Sequence, residues 1–150
     1  MREHRLLASP HLRLKAKRTP TGSKPKPTKP NEWWGIDMAK VLVDGCGWVD
    51  VVIVLDWDTK VIVGYYARIR GTAKHWLVAL DTALNRQFSR RVRGDGLSLM
   101  RDNGRQLTSL TFIDTCSTLG IHQALTSYST PQGKADTERL IRMLKEECLR

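Results

Sequence analysis

Three acidic residues stand where their side chains favour metal-dependent chemistry on phosphodiesters. Asp37 lies in a segment with the pattern of a β-strand, Asp102 follows the short apolar segment 97–100, and Glu138 lies in a segment of helical periodicity. Carboxylates without Cys or His companions are the ligands that Mg²⁺ and Mn²⁺ prefer over zinc-type sites. Two such ions activate an attacking oxygen on one side of a phosphorus atom and stabilise the leaving oxygen on the other. The three acids therefore predict a site for phosphodiester cleavage or transfer.

The elements that must hold these acids follow from the hydrophobic pattern. Residues 33–42, 48–55 and 61–69 are rich in Val, Ile and aromatic side chains and are separated by turn sequences, which predicts three consecutive antiparallel strands. Strand alternation puts Asp37 on a face that it shares with the small residues two positions away on either side. These small neighbours leave space for an ion beside the carboxylate.

The remainder of the domain alternates helices and short strands. The predicted elements are a helix capped by Thr72 and reaching Phe88, a strand at 97–100, a helix at 109–119, a strand at 121–125 and a helix at 134–149. The order β-β-β-α-β-α-β-α implies an α/β fold with a mixed five-stranded sheet, antiparallel in its first three strands, and helices on both faces. Chemistry in open α/β sheets collects at the carboxyl ends of central strands, where Asp102 is predicted to lie.

The net charge of +10 is concentrated at the amino terminus. Residues 1–30 carry nine basic side chains against Glu3 alone, a net of +8, which leaves +2 for residues 31–150. Basic side chains that neutralise phosphates release condensed counterions, so this charge favours a nucleic acid over an acidic protein or a membrane surface. Residues 19–31 contain four prolines and are typical of an extended linker. We predict a basic, Pro-rich arm and linker over residues 1–31, named here the basic arm, and a folded domain over residues 32–150.

Several other protein classes are excluded. The sequence has no run of the ~18 to 20 apolar residues that a membrane span needs, and residues 1–10 lack the apolar core of a secretory signal, so we expect a cytoplasmic protein. Cys46, Cys116 and Cys148 lie far apart without C-x-x-C spacing, which favours reduced, buried thiols over disulfides or zinc ligands. A dinucleotide-binding glycine motif is also missing, and we expect no small-molecule cofactor.

The motifs around the three acids resemble the integrase core of DDE transposases. The likeness is greatest to bacterial insertion-sequence transposases, whose catalytic domains are similar to retroviral integrases and share the ribonuclease H-like fold. The first motif is WGIDM around Asp37 and the second is RDNGRQLTS around Asp102. The third, residues 133–147, places Glu138 after 35 intervening residues and Lys145 seven positions later. The resemblance covers about residues 31–150.

This resemblance implies a catalytic function and a set of partners. Asp37, Asp102 and Glu138 become the expected catalytic residues and the ligands of two Mg²⁺ or Mn²⁺ ions when DNA is bound. The implied reaction is DNA cleavage followed by strand transfer, with element ends and target DNA as partners of a homo-oligomer. The resemblance and the charge pattern together predict these DNA-binding residues: Lys145, Arg142, Lys134, Arg105, Arg13, Lys15, Lys17 and Arg18.

The chain also departs from these relatives. Many of them have His-Ser before the second acid, where Met100 and Arg101 stand here, and Arg105 and Leu107 replace a Ser and a Tyr. Relatives usually carry an N-terminal helix-turn-helix region and continue beyond the last helix, so we expect a fragment whose residues 1–7 are the tail of that region. Three interpretations stay open: a transposase catalytic domain, complete or not; a non-catalytic DNA-binding remnant; and a ribonuclease H-like or junction-resolving nuclease.

Overall fold

Hydrophobic alternation and turn residues divide the described part of the chain into six strands and three helices. A computed structural model describes residues 17–18, 25–70, 72–89, 94–102, 109–125 and 135–147. The elements are β1 (Lys17–Arg18), β2 (Trp33–Val43), β3 (Gly47–Asp56), β4 (Ile62–Arg68), α1 (Ala73–Gln87), β5 (Ser98–Arg101), α2 (Leu110–Thr118), β6 (His122–Leu125) and α3 (Ala135–Glu147). The eight elements predicted from the sequence are all present, and β1 is additional.

The strands form one mixed sheet in the order β1-β6-β5-β2-β3-β4. Strands β2, β3 and β4 are antiparallel to their neighbours in a meander, whereas β1, β6, β5 and β2 pair in parallel. The β2–β3 turn contains Gly45 and Gly47 at φ +76° and +81°, which side chains rarely adopt, so glycine is required there. The predicted mixed sheet of five strands, the first three antiparallel, is confirmed, and it has a sixth strand at one edge.

The sixth strand comes from within the basic arm, where the sequence predicts only an extended arm and linker. Lys17 pairs with Ala124 and Arg18 with Leu125, in parallel. Pairing of two residues needs only extended backbone beside β6 and no apolar pattern, which is why the sequence does not reveal it. The arm is therefore attached to the sheet at this point.

One face of the sheet, named here the α1–α2 face, carries the larger core. Its buried residues come from the sheet and from both helices, and include Trp34, Ile36, Val52, Val54, Trp76, Leu80, Leu99, Phe112 and Cys116. Helix α1 lies so close to β4 that a Cβ added to Gly64 would be 2.5 Å from the carbonyl oxygen of Ala79. Gly64 thus permits a helix–strand approach that any larger residue would obstruct.

The opposite face, named here the α3 face, carries a smaller cluster. Leu55, Trp57, Met100 and Ala124 are buried there, and Trp33 and Leu140 pack against them. The rings of Trp33 and Trp57 are stacked with centroids 5.9 Å apart. Helices therefore cover both faces, as predicted, with α1 and α2 on one side and α3 on the other.

Asp56 is a buried carboxylate that the sequence presents only as part of a turn. Its Oδ2 accepts the backbone N–H of Asn31 at 2.8 Å, and its Oδ1 accepts those of Asp58 at 2.8 Å and Thr59 at 3.4 Å. Asn31 has φ 61° and accepts the indole N–H of Trp34 at 3.2 Å. Asp56 thereby joins the chain that enters β2 to the turn that leaves β3.

The cysteines only partly follow the sequence expectation. Cys46 and Cys116 are both free thiols. Cys116 is buried, as expected, and burial raises its pKa to about 12. The expectation of burial is wrong for Cys46, which is exposed because it lies in the β2–β3 turn, and Cys148 lies outside the described residues. Within the described ranges, none of the helices is both long and apolar enough to cross a membrane.

Candidate metal and DNA site

Asp37 lies in the middle of β2 and Asp102 directly follows the last residue of β5, and these two neighbouring parallel strands are at the centre of the sheet. Gly35 of β2 is paired with Met100 of β5, and each acid stands two residues beyond this pair. A shift of two residues restores the same side of a strand, so alternation places both acids on the side of Met100. Met100 belongs to the cluster beneath α3, and the two acids therefore face the α3 side.

Both carboxylates are half-buried, so solvent reaches them. The Oδ1 of Asp37 accepts the N–H of Met38 at 2.9 Å, which fixes one oxygen of this side chain relative to its own strand. Gly35 and Ala39, the neighbours of Asp37 on the same side of β2, are buried and small. The space that alternation predicts beside Asp37 is thus bounded by a hydrogen atom and a methyl group.

Glu138 lies on α3, which packs against β2. Its side chain is exposed, whereas Leu140, two positions later, packs against the cluster of the α3 face. Positions two apart are roughly 200° apart around a helix, so Glu138 is turned away from the side that Leu140 buries. In the part of the chain that is described, no three His, Cys, Asp or Glu side chains are grouped to hold a metal ion. The structure therefore brings Asp37 and Asp102 to one side of the sheet and leaves Glu138 outside a three-ligand group.

The predicted DNA-binding residues fall into three sets. Arg142 and Lys145 are exposed on α3, four and seven positions after Glu138 and thus on the same side of the helix. Lys17 and Arg18 form β1. The others lie outside the described residues: Lys134, Arg105, Arg13 and Lys15. An acidic residue and two basic residues therefore share one exposed side of α3.

Arg101 is a residue whose position the sequence interpretation missed. It is 2% exposed, and its Nε donates to Oε1 of Gln123 at 3.2 Å while its Nη1 donates to the carbonyl oxygen of Asp102 at 3.5 Å. Burial lowers the pKa of Arg101, and nearby Cys116 and Asp102 oppose this shift. The spacing Leu97, Leu99, Arg101 is the signal that could have placed it on the α1–α2 face, since alternate strand residues share a face.

The oxygen donors fit a hard divalent cation. Mg²⁺ in proteins is commonly held by one or two carboxylates together with waters and the phosphates of a substrate. Asp37 and Asp102, half-buried on one side of adjacent strands, match that pattern without a complete cage of protein ligands. Glu138 lies on the helix that packs against β2, but outside any three-ligand group among the described residues.

Known proteins resemble the chain in family and in fold. Residues 27–131 match the family model of the integrase core domain, a range that includes Asp37 and Asp102 and ends before α3. A chain of the simian T-cell lymphotropic virus intasome in complex with PP2A regulatory subunit B56 gamma superposes with a TM-score of 0.70 and 18% identity. That match covers 89% of this chain and 47% of the other, so the chain spans about half the length of this relative.

Two structures of the HTLV-2 integrase catalytic core domain in complex with magnesium are also similar. The dimeric form gives a TM-score of 0.63 and the trimeric form 0.64, each at 16% identity. Each match covers 81% of this chain, with 72% of the dimeric-form chain and 71% of the trimeric-form chain. A comparison with curated proteins gave no match. The structural likeness at these identities establishes the fold, which is the ribonuclease H-like arrangement expected from the motifs.

Proposed function

Because the chain belongs to the integrase core domain family, we propose that it is a transposase catalytic domain that cuts DNA and transfers the cut strand to a second DNA. The observation that carries this proposal is the placement of Asp37 and Asp102. They lie on one side of adjacent parallel strands, Asp37 in the middle of β2 and Asp102 directly after β5, in a fold similar to integrase catalytic cores. The carboxyl end of a central strand, where Asp102 stands, is the place at which open α/β sheets perform their chemistry.

Different residues of the chain would bind the metal ions and the DNA. Asp37, Asp102 and Glu138 would hold Mg²⁺ or Mn²⁺, with two ions once DNA is bound. Such ions supply activation of the attacking oxygen and charge stabilisation of the leaving oxygen. Arg142 and Lys145 lie on the side of α3 that carries Glu138, where they would neutralise phosphates of the bound strand.

Two in-line displacements give cleavage and then transfer. A water oxygen attacks a phosphorus at the element end, the bond to the 3′ oxygen breaks, the water loses a proton to solvent, and the leaving 3′ oxygen takes up a proton to become a hydroxyl. The freed 3′-hydroxyl then attacks a phosphorus of the target DNA and loses its proton, while the target's own 3′ oxygen leaves and takes up a proton. Neither displacement needs a covalent bond to the protein, because the attacking oxygens belong to water and to the DNA itself.

The wider setting is also part of the proposal. The motifs around Asp37 and Asp102 support a bacterial insertion sequence as the source and the cytoplasm as the location. A homo-oligomer that holds two element ends is consistent with the intasome and the dimeric and trimeric cores that share the fold. The basic arm supports DNA as the partner because its net charge is +8 over residues 1–30.

Nicking of supercoiled plasmid with Mn²⁺ tests the catalytic proposal. We expect nicking by the wild type and a loss of at least about 100-fold in Asp37→Asn and Asp102→Asn, because each variant removes a charged ligand. Asp114→Asn is the matched control, since Asp114 is an exposed acid on α2. Circular dichroism confirms that each variant is folded. Wild-type nicking rates in folded Asp37→Asn would contradict the proposal.

A non-catalytic DNA-binding remnant is the second candidate. It is favoured by the lack of a preassembled three-ligand group within the described residues. Such a protein binds DNA with a steep dependence on salt and with the same affinity whether or not Mg²⁺ is present. Binding titrations at several salt concentrations, with and without Mg²⁺, distinguish it from the catalytic domain, which should bind DNA more tightly when its carboxylates hold the metal.

A further inference from the structure

A buried arginine directly precedes Asp102 but belongs to the opposite side of the sheet. Leu97, Leu99 and Arg101 alternate along β5 and its approach, and the two leucines are part of the α1–α2 core. Arg101 is 2% exposed. A guanidinium in such surroundings is unfavourable unless its donors are hydrogen-bonded. Its presence therefore requires partners, and the identity of those partners indicates what it does.

The partners connect three elements. Arg101 donates from Nε to Oε1 of Gln123 on β6 at 3.2 Å and from Nη1 to the carbonyl oxygen of Asp102 at 3.5 Å. Gln123 in turn donates from Nε2 to the carbonyl oxygen of Ile113 on α2 at 3.1 Å. The guanidinium is planar and holds its donors in a fixed fork, so these contacts restrain the peptide group of Asp102 relative to β6 and α2.

The point of contact matters because β5 ends at Arg101. The sheet pairs Arg101 with Leu125 and holds the backbone up to that residue. Beyond it, the interaction of Arg101 with the carbonyl of Asp102 extends this support by one residue, to the residue whose side chain turns to the α3 side. A rotation of the backbone there would displace the carboxylate of Asp102 relative to Asp37.

We propose that Arg101 is a positioning residue that fixes the backbone at Asp102 from the opposite side of the sheet and thereby sets the carboxylate for metal binding. The metal-binding role rests on the proposed function, whereas the restraint on the backbone does not. Groups that orient a metal ligand commonly change metal affinity by ~10- to 100-fold when they are removed. The buried charge is thus connected to the backbone of Asp102 from the opposite face of the sheet.

Arg101→Met and a double variant test this role, so that the test does not depend on the folding of one variant alone. Arg101→Met removes the donors and keeps an unbranched apolar side chain, and Arg101→Met combined with Gln123→Met removes both members of the pair, which avoids an unpaired glutamine oxygen. Arg101→Lys restores a charged donor without the fork. Arg86→Met, at an exposed arginine on α1, is the control for loss of one positive charge. Urea unfolding reports the stability of each variant, and calorimetry with Mn²⁺ reports metal affinity.

We expect Mn²⁺ affinity to fall by about tenfold or more in Arg101→Met and in the double variant, to recover partly in Arg101→Lys, and to stay unchanged in Arg86→Met. A purely structural arginine would change the urea midpoint and leave the affinity of the folded protein unaltered. Equal Mn²⁺ affinity in folded Arg101→Met and wild type would overturn the proposal.

A second readout separates this inference from the proposed function. In protein labelled with ¹³C at the aspartate carbonyls, the Asp102 signal is assigned from its absence in Asp102→Asn. We expect that signal to shift in metal-free Arg101→Met and not in Arg86→Met, because the hydrogen bond to the carbonyl is lost. An unmoved signal overturns the proposal. If the wild type binds no Mn²⁺ even with DNA, the proposed function fails, and a signal that still moves supports the restraint on Asp102.

Discussion

The two faces of the sheet are built from the same strands but have different properties. On the α1–α2 face, Trp34 and Phe112 are fully buried and the core is continuous across two helices. On the α3 face the buried cluster is small, and Asp37 and Asp102 stay half-buried beside it. Adjacent residues of β2 supply the two faces in turn. The comparison shows that alternation lets one strand contribute stability on one side and polar ligands on the other.

Matched leucine truncations test this division most strongly. Leu80 on α1 is 1% exposed, whereas Leu140 on α3 is only partly buried. We expect Leu80→Ala to lower the free energy of unfolding by ~2 to 5 kcal/mol, because it leaves a cavity in a closed core. Leu140→Ala should cost about 1 kcal/mol, because solvent already reaches that side chain. Urea denaturation measures both, and equal losses would show that the two faces contribute alike.

Paired aspartate variants test the same division among acids. Asp56 is 1% exposed and accepts three backbone N–H groups, so Asp56→Asn should lower the free energy of unfolding by ~2 to 3 kcal/mol. Asp37 is half-buried and its carboxylate is open to solvent, so Asp37→Asn should change the free energy of unfolding by less than about 0.5 kcal/mol. Urea midpoints of the two variants check this. A larger loss in Asp37→Asn than in Asp56→Asn would reverse the roles assigned to the two acids.

The alkaline limit of stability gives the smallest and most specific test of the α1–α2 face. Burial raises the pKa of Cys116 from 9.0 to about 12, so the folded state favours the neutral thiol. This contribution is complete below pH 9 and is lost as the pH rises towards 12, by about 1.4 kcal/mol per pH unit. The difference in unfolding free energy between wild type and Cys116→Ala, measured from pH 8 to about pH 10.5, isolates it.

A truncation in the same core that removes no titratable group provides the control for this measurement. Leu80→Ala should lower the free energy of unfolding and leave its alkaline slope unchanged. If Cys116→Ala keeps the full slope, the thiol is not held neutral by burial, and the closed core of the α1–α2 face is less complete than the structure shows.

Elements with a strong repeat in the sequence were predictable. The alternation in residues 33–42 predicts β2 and the face of the strand on which Asp37 lies. The three- and four-residue spacing after Thr72 predicts α1. The wide spacing of the acids in the sequence becomes proximity only through the parallel pairing of β2 with β5. That pairing follows from the order of elements rather than from any single motif.

Features that depend on single contacts were not predictable. In the sequence Asp56 is an ordinary turn acid, and its hydrogen bond from the backbone N–H of Asn31, 25 positions away, is not indicated. For Arg101, alternation with Leu97 and Leu99 indicates the face of the sheet, but β5 is only four residues long and nothing in the sequence indicates the hydrogen bond to Gln123. The distance of Glu138 from the other acids depends on how α3 lies on the sheet, which its periodicity alone does not fix.

The short pairing of β1 with β6 has a consequence for how copies of the chain behave together. An open strand edge is a template on which any extended segment adds, including the same strand of another molecule. β1 occupies the outer side of β6 over Ala124 and Leu125 with a segment that is itself basic. A protease cut between β1 and β2 would therefore remove the strand that pairs with β6 as well as positive charge. The protein would then lose solubility by strand-to-strand aggregation rather than by unfolding.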